Sequence, residues 1–508
     1  MPFSLALLLA AACGFMALAY EMVWARLFNF ASGSRAPGFA AMLGGYLFGL
    51  ALGSLISRRW QLLNARDALD PWRALAGLIL GSNLVGFLIP PTASWLILTS
   101  SWLCFIPLVV VSSALLGTIL PLLCHLVISA DSRAGARMSY IYLANIIGSG
   151  AGSLITGFVL MEWLKLWQIA MGLLIGGVFV SAALLFFLKA VRPVDCGLWI
   201  VGIWLACTSP WLHDGLYERL QLKANYKWGF QFARVIEGRH GVITVTATNL
   251  IVFGNGVYDG VIQTRLKPDS WLVRPYFISA LHPNPKTVLV IGMSGGAWTQ
   301  ILANHPQVEK VTVVEINNGY IKLIQEYPQV SSILTNSKVE IHIDDGRRWL
   351  RRNPAAHFDV IAMNTTYYWR EFASALLSKE FLELVKAHLN PGGLVMWNCT
   401  GSPRALRTGM EVFPCTLMVL NNCVGSLTPL LPNRERWVQT LRDYRIDGQP
   451  VFDLTNSEGR QDLDKVVAFL DAGTNDLFRL TYRQEMIEKF GTAEVITDDN
   501  LGDEDRFP

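Results

Sequence analysis

Two regimes of hydrophobic patterning divide the chain. Up to about residue 213 the apolar residues run on without alternation, in stretches long enough to cross a bilayer at 2–20, 37–57, 74–90, 93–129, 138–161 and 166–188, with a shorter one at 197–211. A helix satisfies its own backbone hydrogen bonds, so such runs predict spanning helices. The first run lacks a basic start and a good cleavage site, which favours a spanning helix over a signal peptide. Gly45, Gly49 and Gly53 recur every four residues, as do Gly148 with Gly152 and Gly172 with Gly176. Such stripes predict closely packed helices. After a linker at 213–226 the pattern changes. The segment 241–248 alternates, 250–253 is apolar and Gly254-Asn255-Gly256 is a turn, so 227–285 reads as a β-rich hairpin cap.

From 286 to 508 short buried runs alternate with amphipathic ones. Strands are expected at 287–291, 311–315, 339–343, 358–363 and 394–398, with helices at 298–304 and 379–388. This order predicts a Rossmann-like parallel α/β sheet whose ligand sits at the strand C-terminal ends. The expected architecture is a multi-spanning α-helical membrane domain, residues 1–212 with six to eight spans, followed by the cap and the α/β domain.

Composition narrows the class. Of 508 residues 52% are hydrophobic and 16% charged, too apolar for an ordinary soluble protein. The net charge of +3 divides into +5 up to residue 213 and −2 beyond, so no basic surface for nucleic acid accumulates in the second half. The basic clusters Arg58–Arg59–Arg66, Arg133–Arg137 and Lys189–Arg192 all face the cytoplasm with six crossings and a cytoplasmic start. A seventh crossing at 197–211 reverses the side of the second half unless 93–129, with Pro107 and Pro121, holds two helices. Glu21, Arg26, His125 and Glu162 lie in or beside the spans, and pairing such as Glu21 with Arg26 accounts for them better than a functional relay. The eight cysteines lack metal-ligand or CxxC spacing and read mostly as buried small hydrophobes; no metal is expected.

The polar residues that carry chemistry stand at the expected strand ends. Gly292, Ser294 and Gly296 follow the first strand, where small residues allow close approach to a ligand. Glu315 ends the second, about twenty residues on, where a carboxylate accepts ribose hydroxyls. Asp344 and Asp345 end the third, where a carboxylate accepts from an adenine amino group. Together they predict a nucleoside site. His240, His282 and His305 read as loop or surface residues.

The segments VLVIGMSGGAWTQIL (288–302), VTVVEINNGYI (311–321), VEIHIDDGRRWL (339–350), FDVIAMNTT (358–366) and LLSKEFLELVKAHLNPGGLVMWN (376–398) resemble the spermidine synthase (polyamine aminopropyltransferase) family, within the class I S-adenosylmethionine (SAM) fold. GNGVYDG (254–260) is similar to the family's hairpin motif. YEMVWARLF (20–28), GLALGSLISRR (49–59), GTILPLL (117–123), YLANIIGSGAGSLITGF (142–158) and ITDDNLGDE (496–504) resemble bacterial members fused to spanning helices. The resemblance implies SAM or decarboxylated SAM as co-substrate, an amine or lipid-proximal acceptor, a multi-pass protein of the bacterial inner membrane with a cytoplasmic soluble domain, and a homodimer as the oligomer to test.

The departures from that family bear on the chemistry. The family's glycine loop carries an Asp where this chain has Gly295, and its strand-four motif has a proton-accepting Asp where this chain has Asn364. An amide orients a nucleophile but takes no proton. Tyr367 stands where a second acid holds a cationic polyamine, and Asp259 stands at the hairpin position usually occupied by Gln. Catalytic roles then fall to Asn364 for orientation, Asp259 or Glu371 as replacement base, and Tyr367 with Tyr368 as an aromatic wall for a sulfonium or amine. Arg370 with Glu371 reads equally well as a solvated loop pair, and Asp498 and Asp499 more readily as a charged tail than as site residues. Three functions fit: a membrane-tethered transferase of aminopropyl, related or methyl groups; an enzyme that cleaves or cyclises SAM without an acceptor; and a non-catalytic nucleoside-binding regulator. A transporter ranks below these, because the spans lack broken half-helices.

Overall fold

The computed structural model describes residues 2–61, 70–268, 270–364, 367–470, 480–500 and 502–504; Arg66, Thr365 and Thr366 lie outside them. The chain forms two compact units, Met1–Val242 and Ile243–Pro508. The division falls inside the segment read as the hairpin cap, and the stretch 213–226 contains a helix, Leu216–Leu222.

In the first unit, the long apolar runs form α1 (Phe3–Ser32), α2 (Ala36–Gln61), α3 (Asp70–Leu96), α4 (Phe105–Val127), α5 (Ala134–Leu154) and α6 (Leu166–Phe187). These six, with α5 extended through a π-helical turn Ile155–Leu160, are long and apolar enough to cross a membrane. α7 (Pro193–Cys207) and the following helical stretch Ser209–Asn225 meet at 61° and make a seventh span if counted together. The run 93–129 is one span, because the chain leaves α3 at Leu96 and enters α4 at Phe105. Pro107 falls in the first turn of α4, where a missing N–H leaves no hydrogen bond unmade.

The glycine stripes have distinct outcomes. A Cβ on Gly49 would lie 2.6 Å from Val110 O, and one on Gly53 would meet Ala114 O, so α2 and α4 touch backbone to backbone. Gly152 does the same against Phe15 O, joining α5 to α1. The third pair departs from expectation. Gly172 has open space around it and Gly176 only Met16 Sδ at 3.9 Å, whereas Gly177, one residue on, packs against Asn83 of α3. The expected Glu21–Arg26 pairing also gives way: Arg26 Nη2 donates to Gly238 O at 2.7 Å, and Glu162 accepts from Arg239 N at 3.3 Å. Both of those acceptor and donor groups flank the turn after β1 (Phe232–Gly238).

In the second unit, β2 (Gly241–Thr246), β3 (Ile251–Gly254) and β4 (Val257–Val261) form an antiparallel meander. The cap is not β-rich to its end, since Val273–Leu281 is a buried helix. The main sheet runs in the order β12-β10-β11-β9-β8-β5-β6-β7, where β5 is Thr287–Ile291, β6 Lys310–Glu315, β7 Val339–Ile343, β8 Phe358–Met363, β9 Leu389–Asn398, β10 Cys415–Val419, β11 Asn422–Ser426 and β12 Leu480–Tyr482. Strands β5 to β9 are parallel, as the alternating pattern requires. β10, β11 and β12 are antiparallel, so the sheet is mixed rather than wholly parallel. β5 is apolar on both faces because helices cover both, and Val288, Leu289 and Val290 are fully enclosed. From β5 the order proceeds to β6 and β7 on one side and to β8 and β9 on the other. The connections therefore diverge above the tips of β5 and β8, which opens a crevice there.

Candidate active site

The crevice is built first from the loop that follows β5. Gly292 and Gly296 have φ of +84° and +85°, and Ser294 lies at +49°. A Cβ on Gly292 would come within 2.9 Å of Asn364 O, so the loop and the tip of β8 are pressed together. Ser294 Oγ donates to Asp259 O at 2.7 Å, which ties the loop to β4.

Glu315, at the tip of β6, is 3% exposed. Its Oε2 accepts from Met293 N at 2.6 Å and its Oε1 from Asn317 N at 2.7 Å. Burial pushes its carboxyl up to about 7, while those backbone donors pull the other way. A carboxylate offers about four acceptor positions, so capacity remains for ligand hydroxyls. Asp344 N donates to Glu315 O at 3.1 Å, which places the β7 tip alongside. Asp345 caps the helix Gly346–Arg352 by accepting from Arg348 N at 2.7 Å. Asp344 pairs with Arg348; desolvation opposes its ionisation, but that hydrogen bond, the Asp345 N–H and the charges of Arg348 and Arg352 hold it below the usual range. Both acids thus have local partners, and Glu315 is the deeply buried carboxylate of the three.

Beside the glycine loop opens a cavity of about 660 Å³. Ser294, Gly295, Asp259, Asn364 and Tyr367 line it, so the structure gathers these expected residues in one place. Asp259 Oδ2 accepts the phenol of Tyr320, and burial, then the neighbouring Asp259 charge, drive the Tyr320 hydroxyl far above its ordinary value. Tyr367 stacks on Trp369 at 4.2 Å and 25°. Glu371 does not line the cavity, and neither do Asp498 and Asp499. Asp498 instead binds Arg347 at 2.7 and 2.5 Å and accepts from Ser378 Oγ at 2.7 Å. The same tail reaches back through Glu504, which accepts from Phe372 N at 3.0 Å and from Ser374 N at 2.6 Å.

The sequence reading passed over Tyr320, Arg274, Trp271, Trp298, Asn398 and Asn421. Of these, all but Tyr320 line the cavity. The one signal available was local: Arg265, Lys267 and Arg274 fall within ten residues around Trp271. His282 and His305 lie in loops, one of the two placements expected, but at 8% and 1% exposure they are not surface residues; neither lines the cavity. Burial lowers His305 to about 4, so it is neutral at physiological pH. Of the eight cysteines, all free, Cys13, Cys399 and Cys423 are buried, so burial holds for three rather than for most. Among the described residues no three His, Cys, Asp or Glu side chains gather as a metal-binding group.

Residues 277–404, from the buried helix before β5 to the helix after β9, match the spermine/spermidine synthase domain model. The second unit is spermidine-synthase-like. A spermidine synthase from Dictyostelium discoideum is 34% identical over 154 residues, 29% of this chain and 52% of its own. A polyamine aminopropyltransferase from Moorella thermoacetica (strain ATCC 39073 / JCM 9320) is 32% identical over 173 residues, 32% of this chain and 60% of its own. The chain therefore spans little more than half the length of these curated relatives. Polyamine aminopropyltransferase 2 from Streptomyces coelicolor (strain ATCC BAA-471 / A3(2) / M145) is 27% identical over 416 residues, 75% of this chain and 71% of its own. That alignment reaches into the helical unit, since the spermidine-synthase-like unit is little more than half of the chain. A solved spermidine synthase from Thermotoga maritima aligns at 20% identity and a TM-score of 0.33, over 42% of this chain and 80% of that one.

Within the spermidine-synthase-like unit the structure accounts for one departure from the family pattern. A Cβ on Gly295 would lie 2.9 Å from Val252 Cγ2 and 3.0 Å from Ile262 Cγ1. Any side chain at this position therefore requires Val252 and Ile262 to shift.

Proposed function

We propose that the protein is a membrane-anchored, spermidine-synthase-like transferase. It binds the nucleoside of SAM or decarboxylated SAM at Glu315 and passes an alkyl group from the sulfonium to an acceptor held in the adjoining cavity. The observation that carries this reading is the juxtaposition of a buried carboxylate at the tip of β6 with a cavity of about 660 Å³ across the glycine loop from it. Glu315 accepts ribose hydroxyls, and Asp345 keeps the adenine end in place beside it.

The acceptor's lone pair attacks the carbon bonded to sulfur, the carbon–sulfur bond breaks, and a neutral thioether leaves. The sulfonium is already activated, so alignment supplies much of the rate enhancement. Asn364 lines the cavity and orients the nucleophile through its carboxamide; the acceptor's proton passes to Asp259 or to solvent. Tyr367, half-buried and stacked on Trp369, presents an aromatic face to the sulfonium. Six apolar helices hold this unit at a bacterial cell membrane, with the second unit cytoplasmic when Pro193–Cys207 does not complete a crossing.

Full-length protein in detergent, incubated with labelled SAM or labelled decarboxylated SAM and a panel of amines, tests the reading. Label transferred to an acceptor supports it. Methylthioadenosine released without an acceptor supports a cofactor-cleaving enzyme in its place, and nucleoside binding without turnover a regulatory module.

A further inference from the structure

The described residues on the acceptor side of the cavity carry the opposite charge from the one a polyamine needs. Three cationic side chains line it, Arg265 and Lys267 exposed at the rim and Arg274 set deeper. Among the described residues the one acidic side chain on the wall is Asp259, and its Oδ2 already accepts from Tyr320.

Arg274 is held as a built feature. Its guanidinium lies 5.2 Å from the Trp298 ring centroid and 5.6 Å from that of Trp271. Nε donates to Trp271 O at 2.8 Å, and Nη1 donates to Asn421 Oδ1 at 2.8 Å and Asn422 Oδ1 at 3.2 Å. Every one of these acceptors is neutral, and no carboxylate among the described residues pairs with Arg274. Desolvation lowers it to about 10, so it stays cationic at neutral pH. Fully buried Asn422 turns its carbonyl to Arg274 and leaves its own Nδ2 without a hydrogen-bond partner, a cost that the fold bears to keep the guanidinium oriented. With Nε and Nη1 taken, Nη2 is left to donate, and an oriented, uncompensated guanidinium at a cavity wall is suited to a carboxylate that accepts from Nη2 and meets its charge.

From this arrangement we infer that the cavity recognises a carboxylate-bearing ligand through Arg274, with Lys267 adding long-range attraction, and that it discriminates against the decarboxylated, purely cationic counterpart. The inference rests on the nucleoside reading above and adds the substrate class. The carboxylate has two sources, the methionyl tail of the sulfonium co-substrate and the acceptor.

Matched pairs of probes that differ by that one group separate the sources, measured by calorimetry on the full chain in detergent. SAM against decarboxylated SAM tests the co-substrate. Ornithine against putrescine, titrated into protein saturated with methylthioadenosine, tests the acceptor. The expected result is a preference of about tenfold or more for the carboxylated member of at least one pair. Arg274→Gln reduces that preference to about twofold or less, and Lys267→Gln lowers it in a salt-dependent way, with methylthioadenosine affinity unchanged in both as the check that the fold is intact. Equal or tighter binding of the decarboxylated member in both pairs, with methylthioadenosine still bound, overturns the inference alone. Failure of methylthioadenosine to bind the wild-type chain overturns the nucleoside reading and this inference with it.

Discussion

Nucleoside affinity is expected to follow the ionisation of Glu315. Burial raises this carboxyl to about 7, and it must be ionised to accept from two ribose hydroxyls while also holding Met293 N and Asn317 N. Above pH 7 it is charged and affinity is level. At pH 6 only about a tenth is charged, and at pH 5.5 about one part in thirty, so Kd for methylthioadenosine rises about tenfold per unit below 7. Stability moves in the opposite direction. The folded pKa lies above the unfolded value of 4.5, so the cost of the buried charge is absent below 4.5 and grows as pH rises to 7, to at most about 3 kcal/mol. Glu315→Gln removes both trends. It also turns an amide N–H₂ toward a backbone N–H, and losing two charge-assisted hydrogen bonds at roughly 1.5–3 kcal/mol each weakens binding by about two orders of magnitude or more. Calorimetry between pH 5.5 and 8.5 at fixed ionic strength is the assay. A wild-type affinity that ignores pH, or a Glu315→Gln protein that titrates like wild type, would refute the assignment of the ribose to this residue.

Other expectations concern separate parts of the molecule. Asn364→Asp introduces an acid on the cavity wall, and putrescine affinity in the presence of methylthioadenosine should rise about tenfold; no change means that residue 364 does not face the acceptor. Gly152→Ala should lower the thermal midpoint in detergent by an amount equivalent to about 1–3 kcal/mol, because its Cβ would meet Phe15 O, whereas Gly172→Ala, with open space, should leave it unchanged. Equal effects of the two would refute the helix contacts described. Glu504→Ala should accelerate hydrogen exchange at Phe372 and Ser374 without altering exchange in β5, since Glu504 accepts from both of those amides. Asp498 is held below the usual carboxylate range chiefly by its hydrogen bond from Arg347, with desolvation opposing, so its stabilising contribution is present at neutral pH and lost as pH falls through the folded value. Asp498→Asn should flatten that part of the acid limb, a small effect at this partly exposed site.

The parallel strands β5, β6 and β8 were legible because each is a short apolar run that the fold buries, whereas β7, at the sheet edge, is a Val-Glu-Ile-His-Ile alternation with no buried residue. Glu315 was legible because its distance from the glycines fixes it at the next strand tip. The antiparallel edge was not. β10 and β11 are joined by a two-residue turn at Leu420 and Asn421, and β11 reads Asn-Cys-Val-Gly-Ser, which has neither alternation nor β-branched density. Leu420 even adopts φ +56°, where sequence rules place Gly or Asn. Periodicity located the third glycine pair on α6 but not the face that meets a neighbour, and Gly177 rather than Gly176 makes the contact. The cationic wall escaped because it is assembled from a helix inside the supposed β cap and from asparagines around the β10–β11 turn. Only tertiary folding brings Arg274 to Asn421 and Asn422.

Gly295 sets a condition on any attempt to convert this scaffold into a diamine-using catalyst. With Val252 and Ile262 already packed against it, an acid grafted at that point on the cavity wall must push two enclosed side chains aside. A single exchange therefore requires both neighbours to give way. A workable path trims the overlying aliphatic pair first, to Ala or Gly, and installs the carboxylate afterwards, with each intermediate bearing the loss of core packing that the trimming entails.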